Sequence, residues 1–194
     1  MEFGTAAERC ASPAFLLNDL TRYWRTVTVD FVYNQRAEND KKWALRNAKL
    51  RMSRKLIFAA GLLHCFYCHL DAAANHAREE LNRPEGDVSA LTDYLEHQLS
   101  RTPLELVAQT CLERKVRPAT TRAIFDNYDH FLAILDDKEK RDELKSAKSH
   151  EDLRKSEAWK EVRAVSRPFH EGLVALFLND DEDLKMLTMT YGVF

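Results

Sequence analysis

"KKWALRNAKLRMSRKL" (residues 41–56) runs directly into "LIFAAGLLHCFYCHL" (56–70), and the way these thirty residues repeat decides the fold. At 100° per residue Leu45, Met52, Leu56 and Leu63 form one apolar stripe. Lys42, Arg46, Lys49 and Ser53 fall within roughly 60° of one another on the neighbouring stripe. No comparable stretch of the chain alternates apolar and polar residues long enough to read as a strand. The segment reads as one long amphipathic helix running from about Asp40 to beyond Leu70.

The same stretch poses an electrostatic question. Lys41, Lys42, Arg46, Lys49, Arg51, Arg54 and Lys55 are seven cations with no acid among them. The whole chain has 29 Lys and Arg against 31 Asp and Glu, so the excess belongs to this one segment. The cations divide into two sets. Lys42, Arg46 and Lys49 border the core, whereas Arg51, Arg54 and Lys55 point to another side, toward solvent or a partner. A solvated cationic face laced with salt bridges is the plainest reading. An anion site for phosphates is the functional one, since Arg forks suit phosphate and clustered cations concentrate anions. An acidic protein partner is a third.

The rest of the chain continues the helical pattern. Its 194 residues fit one domain, and 45% hydrophobic with 31% charged residues suits a packed core under a charged surface. Five Gly and five Pro leave little material for turns. The expected architecture is all-α: a bundle of about six to eight helices, the first two long and a late one kinked. Residues 1–12 read as a flexible N-terminus and 13–194 as a single domain. Helix one is expected from Pro13 to about Glu38, capped by Ser12. Phe15, Leu16, Leu20, Tyr23, Val27 and Phe31 supply its apolar side, and its β-branched run "TVTVDFV" (26–32) is read as helix from the surrounding pattern.

Beyond "NRPEGD" (82–87), Asp87 can cap a helix through about Leu99. "RTPLE" (101–105) has the form of a capping box, with Thr102 as N-cap, Pro103 at N1 and Glu105 at N3. A helix to about residue 115 follows, and after "RP" (117–118) another carries Ile124, Phe125, Tyr128, Phe131, Leu132 and Leu135. Residues 136–156 are charged and read as a solvated helical hairpin or a mobile insertion. The last long helix carries Trp159, Val162, Val165, Phe169, Leu173, Leu176 and Phe177, with Pro168 expected to kink it. A short helix capped by Asp180 or Asp181 is expected to end at Gly192.

No basic segment followed by an apolar run opens the chain, residues 56–70 are too short to span a membrane, and four cysteines read as reduced thiols. Together these point to the cytoplasm, without a membrane partner. Cys65-x-x-Cys68-His69, with His64, has the form of a zinc or haem string. Small thiols in a buried helix explain it more simply, and no metal is expected.

On helix one, Asn18, Arg22 and Arg25 share a side, and Asp19, Tyr23, Thr26 and Asp30 follow an adjacent line. If the first two helices pair antiparallel, Asp19 and Asp30 can neutralise part of the basic stripe. "FLLNDLTRYWRTVTVDF" (15–31) followed by "KWALRNAKLRMSRKLIFAAGLL" (42–63) resembles the helical half of a family of bacterial nucleotidyltransferases related to DNA polymerase β. "TPLELVAQ", "FDNYDHFLAILDD", "EVRAVSRPFHEGLVALF" and the ending "LTMTYGVF" are similar to its later helices. The resemblance implies an all-α half that closes over a nucleotide, with Arg22, Arg25, Arg46, Lys49 and Ser53 near its phosphates and Asn18, Asp19, Tyr23, Asp30 and Lys42 in support.

The family's catalytic half carries a Gly-Ser turn and an acid-x-acid pair for divalent metal. None of the five glycines here precedes a serine, and the acidic "DDED" (180–183) reads as a helix cap. The expectation is therefore a stand-alone, non-catalytic domain that binds a nucleotide, with magnesium, or another phosphate-bearing ligand. A separate catalytic protein is an alternative partner, a homodimer is the expected assembly, and nucleic acid is not favoured. Arg163 and His170 resemble the Arg-x4–6-His signature of small all-α ribonucleases that partner nucleotidyltransferases in toxin–antitoxin pairs. That makes a ribonuclease the alternative, with Arg meeting phosphate charge and His moving a proton. A homodimeric interaction protein without a small ligand is the third.

Overall fold

The computed structural model describes residues 14–37, 42–81, 88–147 and 150–191. Expectations for residues 1–12, the Ser12 cap with Pro13, Glu38, Lys41, Asp87 and Gly192 lie outside them. Among the described residues every element is helical, as the periodicity predicts. In chain order they are α1 (Ala14–Ala37), α2 (Trp43–Lys49), a π turn (Leu50–Arg54), α3 (Lys55–Leu70), α4 (Ala72–Leu81), α5 (Ser89–Leu99), α6 (Pro103–Glu113), α7 (Pro118–Asp136), α8 (Lys138–Ser146), α9 (His150–Lys155), α10 (Glu157–Leu178) and α11 (Glu182–Tyr191). With α2, the π turn and α3 counted as one continuous helix there are ten. That exceeds the six to eight expected for two reasons. The long second helix stops where Asp71 takes an extended conformation, at φ −92° and ψ 126°. The charged stretch forms α8 and α9, anchored by the buried Leu144 and Leu153.

The β-branched run of α1 is helical, and its hydroxyls are satisfied inside the helix. Thr26 and Thr28, like Thr21 one turn earlier, each donate to the carbonyl four residues back, all at 2.9 Å. Elsewhere the caps define the ends. Thr102 Oγ1 accepts from Glu105 N at 3.3 Å while Thr102 N donates to Glu105 Oε2 at 2.8 Å, closing the capping box of α6. Asp181 Oδ1 accepts from Leu184 N at 2.8 Å at the start of α11. Its neighbour Asp180 accepts from Arg117 N (3.2 Å) and Arg117 Nε (2.8 Å), and Arg114 Nη1 lies 3.6 Å from Asp181. The "DDED" cluster is thus a clamp joining the α6–α7 and α10–α11 connections.

α10 is the central helix and packs most extensively against α7. Its buried side chains, Val162, Val165, Phe169, Leu173, Leu176 and Phe177, follow helical spacing and meet Ile124 and Phe131 of α7 in a single core. A Cβ at Gly172 would lie 2.8 Å from Ile124 Cγ1 and 3.2 Å from Ile124 N, so the two helices approach closely there. Pro168 lies inside α10, and the helix continues through it. α3 packs on α6, where Tyr67 Oη donates to Glu113 Oε2 at 2.7 Å. α1 runs antiparallel to the second helix, with Leu20 against Gly61, Trp24 stacked on Phe58 at 5.0 Å and Phe31 near Trp43 at 6.1 Å.

Candidate functional site

The π turn and the start of α3 face α10 across a cleft of about 300 Å³ lined by Arg51, Lys55, Arg163, Ser166, Arg167 and His170. Three of the α10 residues repeat at i, i+4 and i+7, which puts Arg163, Arg167 and His170 on one face beside the buried stripe. The opposite wall comes from Arg51 and Lys55, four residues apart at the boundary between the π turn and α3. A π turn is wider than an α turn and recurs at functional sites. Here it falls on the residues that supply the cleft's second wall.

Arg51 is held in place by its own helix and by α10. Its Nε donates to Asn47 Oδ1 at 2.8 Å, and its guanidinium carbon lies 5.8 Å from the Trp159 ring centroid. Neither contact uses the terminal nitrogens, the fork that recognises phosphate bidentately. Lys55 is partly buried, and burial first and Arg51 second lower its pKa below the ordinary lysine value. For His170, burial and then the Lys55 charge lower the pKa, against an opposing pull from Glu171. Burial thus favours the neutral form of the imidazole. Arg167 Nε donates to Glu171 Oε1 at 2.8 Å, an exposed pair in which Glu171 is not itself a lining residue. Lys55 and Arg163 make no ion pair among the described residues, and no carboxylate lines the cleft.

Two further hollows open from it. One, of about 440 Å³, shares Arg51 and Arg163 and adds Trp43, Trp159, Arg154 and Lys160. Lys160 is paired with Glu157 at 2.6 Å. The other, of about 330 Å³, shares Lys55 and His170 and is otherwise mostly apolar, with Thr188 among its lining. The cationic cleft is therefore the middle of a longer trench along α10.

The residues expected to meet phosphate are placed differently. Arg22 and Arg25 are exposed on α1, off the side that packs on α3, and Arg22 Nη1 lies 3.9 Å from Asp19. Asn18, Asp19, Tyr23 and Asp30 are exposed on the same helix. Lys42 is exposed in a left-handed conformation with φ 66°, Lys49 is exposed and Arg46 half-buried. Ser53 accepts a hydrogen bond from Tyr128 Oη at 3.3 Å, which turns it toward α7. None of these ten residues lines a described cleft. The structure instead joins the second cation set of the basic stretch to Arg163 and His170. Arg167 was the missed member, and its signal was the one-face spacing from Arg163 to His170.

The cysteine string lies on α3. Cys65 is buried, and burial raises its thiol pKa to about 12. Cys68 Sγ donates to His64 O at 3.6 Å, and His69 stacks on Tyr191 at 5.8 Å. Among the described residues no group of three or more His, Cys, Asp or Glu is arranged to hold a metal ion. No described helix is long and apolar enough to cross a membrane. Comparisons with family models, curated proteins and solved structures find no match for the chain.

Proposed function

We propose that the chain is a non-catalytic helical domain that binds a phosphate-bearing ligand in the cleft between α3 and α10. One observation carries this: among the described residues, five cationic or protonatable side chains line one cleft without a carboxylate, and only one of them, Arg167, makes an ion pair. Assembling like charges opposes folding, and an anion in the cleft relieves it. The resemblance of helices α1 and α2 to a nucleotidyltransferase's helical half supports a nucleotide as one such ligand. Thiols at Cys65, Cys68 and Cys111 suit a reducing compartment, the cytoplasm. Val29, Val32 and Tyr33, exposed on the outer side of α1, are apolar surface for a second copy or a catalytic partner.

The test is a thermal-shift titration with nucleoside triphosphates and inorganic phosphate, with and without magnesium. Ligands that bind only the folded state raise the apparent melting temperature. A saturable rise that shrinks with added salt is expected. No rise with any phosphate compound rejects the proposal.

A ribonuclease is the second reading, favoured by the placement in the same cleft of Arg163 and His170, whose neutral form burial favours. It predicts cleavage of single-stranded RNA that disappears in His170→Ala. Intact RNA after incubation with the wild type, or equal cleavage by the variant, rejects it.

A further inference from the structure

The trench does not end at its cations. Lys55 and His170 line the cationic cleft on one side and, on the other, the trough of about 330 Å³ walled by Trp24, Phe58, Leu62, Val174, Phe177 and Thr188. These residues come from α1, α3, α10 and α11, so four helices converge on a hollow that none of the described residues fills. Apart from the two junction residues, Thr188 supplies the only hydroxyl among the described residues that line it.

Thr188 is the second observation. Only 1% of the residue is exposed, yet its Oγ1 has no hydrogen-bond partner among the described residues. A helical threonine ordinarily bonds the carbonyl four residues back. Thr21, Thr26, Thr28 and Thr110 all do so here, at 2.7–2.9 Å. Thr188 does not, and a buried unpaired hydroxyl is a standing cost that a bound acceptor removes.

Resting on the phosphate site proposed above, we infer that the ligand is an amphiphile: a phosphate monoester whose alkyl or acyl chain lies in the trough. Lys55 and His170 stand where the head group meets the chain, and Arg51 and Arg163 flank the phosphate. Thr188 is the donor for an ester carbonyl along an acyl chain. A nucleotide satisfies the cations but leaves the trough and this hydroxyl empty.

The experiment titrates the full chain with inorganic phosphate and with n-alkyl phosphates from butyl to dodecyl, below their micelle concentrations, following tryptophan fluorescence. Affinity is expected to rise about two- to fourfold per added methylene until the trough is full, since each buried methylene contributes about 0.8 kcal/mol. Val174→Asp, at an exposed position on the trough wall, is expected to flatten that series and leave inorganic phosphate binding unchanged. Lysophosphatidate is expected to lose about two- to tenfold in Thr188→Val, the range for one neutral hydrogen bond, while dodecyl phosphate is unaffected. Phosphate binding with no dependence on chain length overturns the amphiphile and leaves the phosphate site standing. Equal binding of alkyltrimethylammonium ions of the same length overturns the head-group requirement. If inorganic phosphate and the whole series all fail to bind, the phosphate site itself is rejected.

Discussion

Replacing Lys55 by methionine should make the protein more stable and bind phosphate worse. The side chain is partly buried, with Arg51 four residues before it, and burial and that charge together lower its pKa from 10.5. Methionine keeps an apolar stem of similar length along the trough and removes the charge. A like-charged pair four residues apart on a helix destabilises it by about 0.2–0.5 kcal/mol. For a domain of this size that is about 0.4–2 °C in melting temperature. The pH dependence has a definite sign. Because the folded pKa lies below the ordinary value, the unfolded state binds more protons between the two, and wild-type stability rises with pH through that alkaline window. In Lys55→Met that rise should vanish. Loss of one charge-assisted hydrogen bond to phosphate, worth about 1.5–3 kcal/mol, weakens binding roughly 10- to 150-fold. Urea denaturation from pH 7 to 11 and calorimetric phosphate titration measure the two effects. A less stable variant, or one that binds phosphate as tightly as wild type, would refute the reasoning.

Three other substitutions and one titration probe the same structure. Gly172→Ala should destabilise by up to about 2 kcal/mol in urea, because overpacking against the Ile124 backbone costs about 1–3 kcal/mol and improved helix propensity returns about 1. Gly61→Ala should be near neutral in the same assay, since its new Cβ meets only the end of the Leu20 side chain. Asp180 has a lowered pKa: burial raises it, but hydrogen bonds from Arg117 and Thr120 outweigh burial. Its stabilisation is therefore complete above the ordinary carboxylate range and lost as pH falls through the lowered value. Asp180→Asn should flatten the acid limb of a melting-temperature profile between pH 2 and 6. For His170, NMR titration should show a pKa below 6.5 that climbs when phosphate is added, with affinity rising as pH falls through it.

The helices were legible because amphipathic spacing and caps act locally. The Thr102–Glu105 box and the buried faces of α3 and α10 lie where spacing puts them. The break at Asp71 was not legible, because no glycine or proline marks it; Asp71 instead accepts from Ala73 N at 2.9 Å and from Gln98 Nε2 of α5 at 3.2 Å. The site was half legible. The basic stretch announced surplus cations and its division into two sets, but which set meets a partner depends on the packing of α10, more than a hundred residues away. A uniform 100° projection also passes straight through residues 50–54, where the π turn changes the angle between Arg51 and the residues before it. Tertiary placement joined Arg51 and Lys55 to a helix face that reads, taken alone, as a lone Arg–His pair.

Phosphate affinity of two double variants decides between the two halves of the basic stretch. Calorimetric titration with inorganic tripolyphosphate at low salt compares the wild type with Arg51→Ala/Arg163→Ala and with Arg46→Ala/Lys49→Ala. The cleft between α3 and α10 predicts that the first pair abolishes saturable binding and the second changes it less than threefold, about 0.65 kcal/mol. Binding that survives in the first pair and disappears in the second contradicts it.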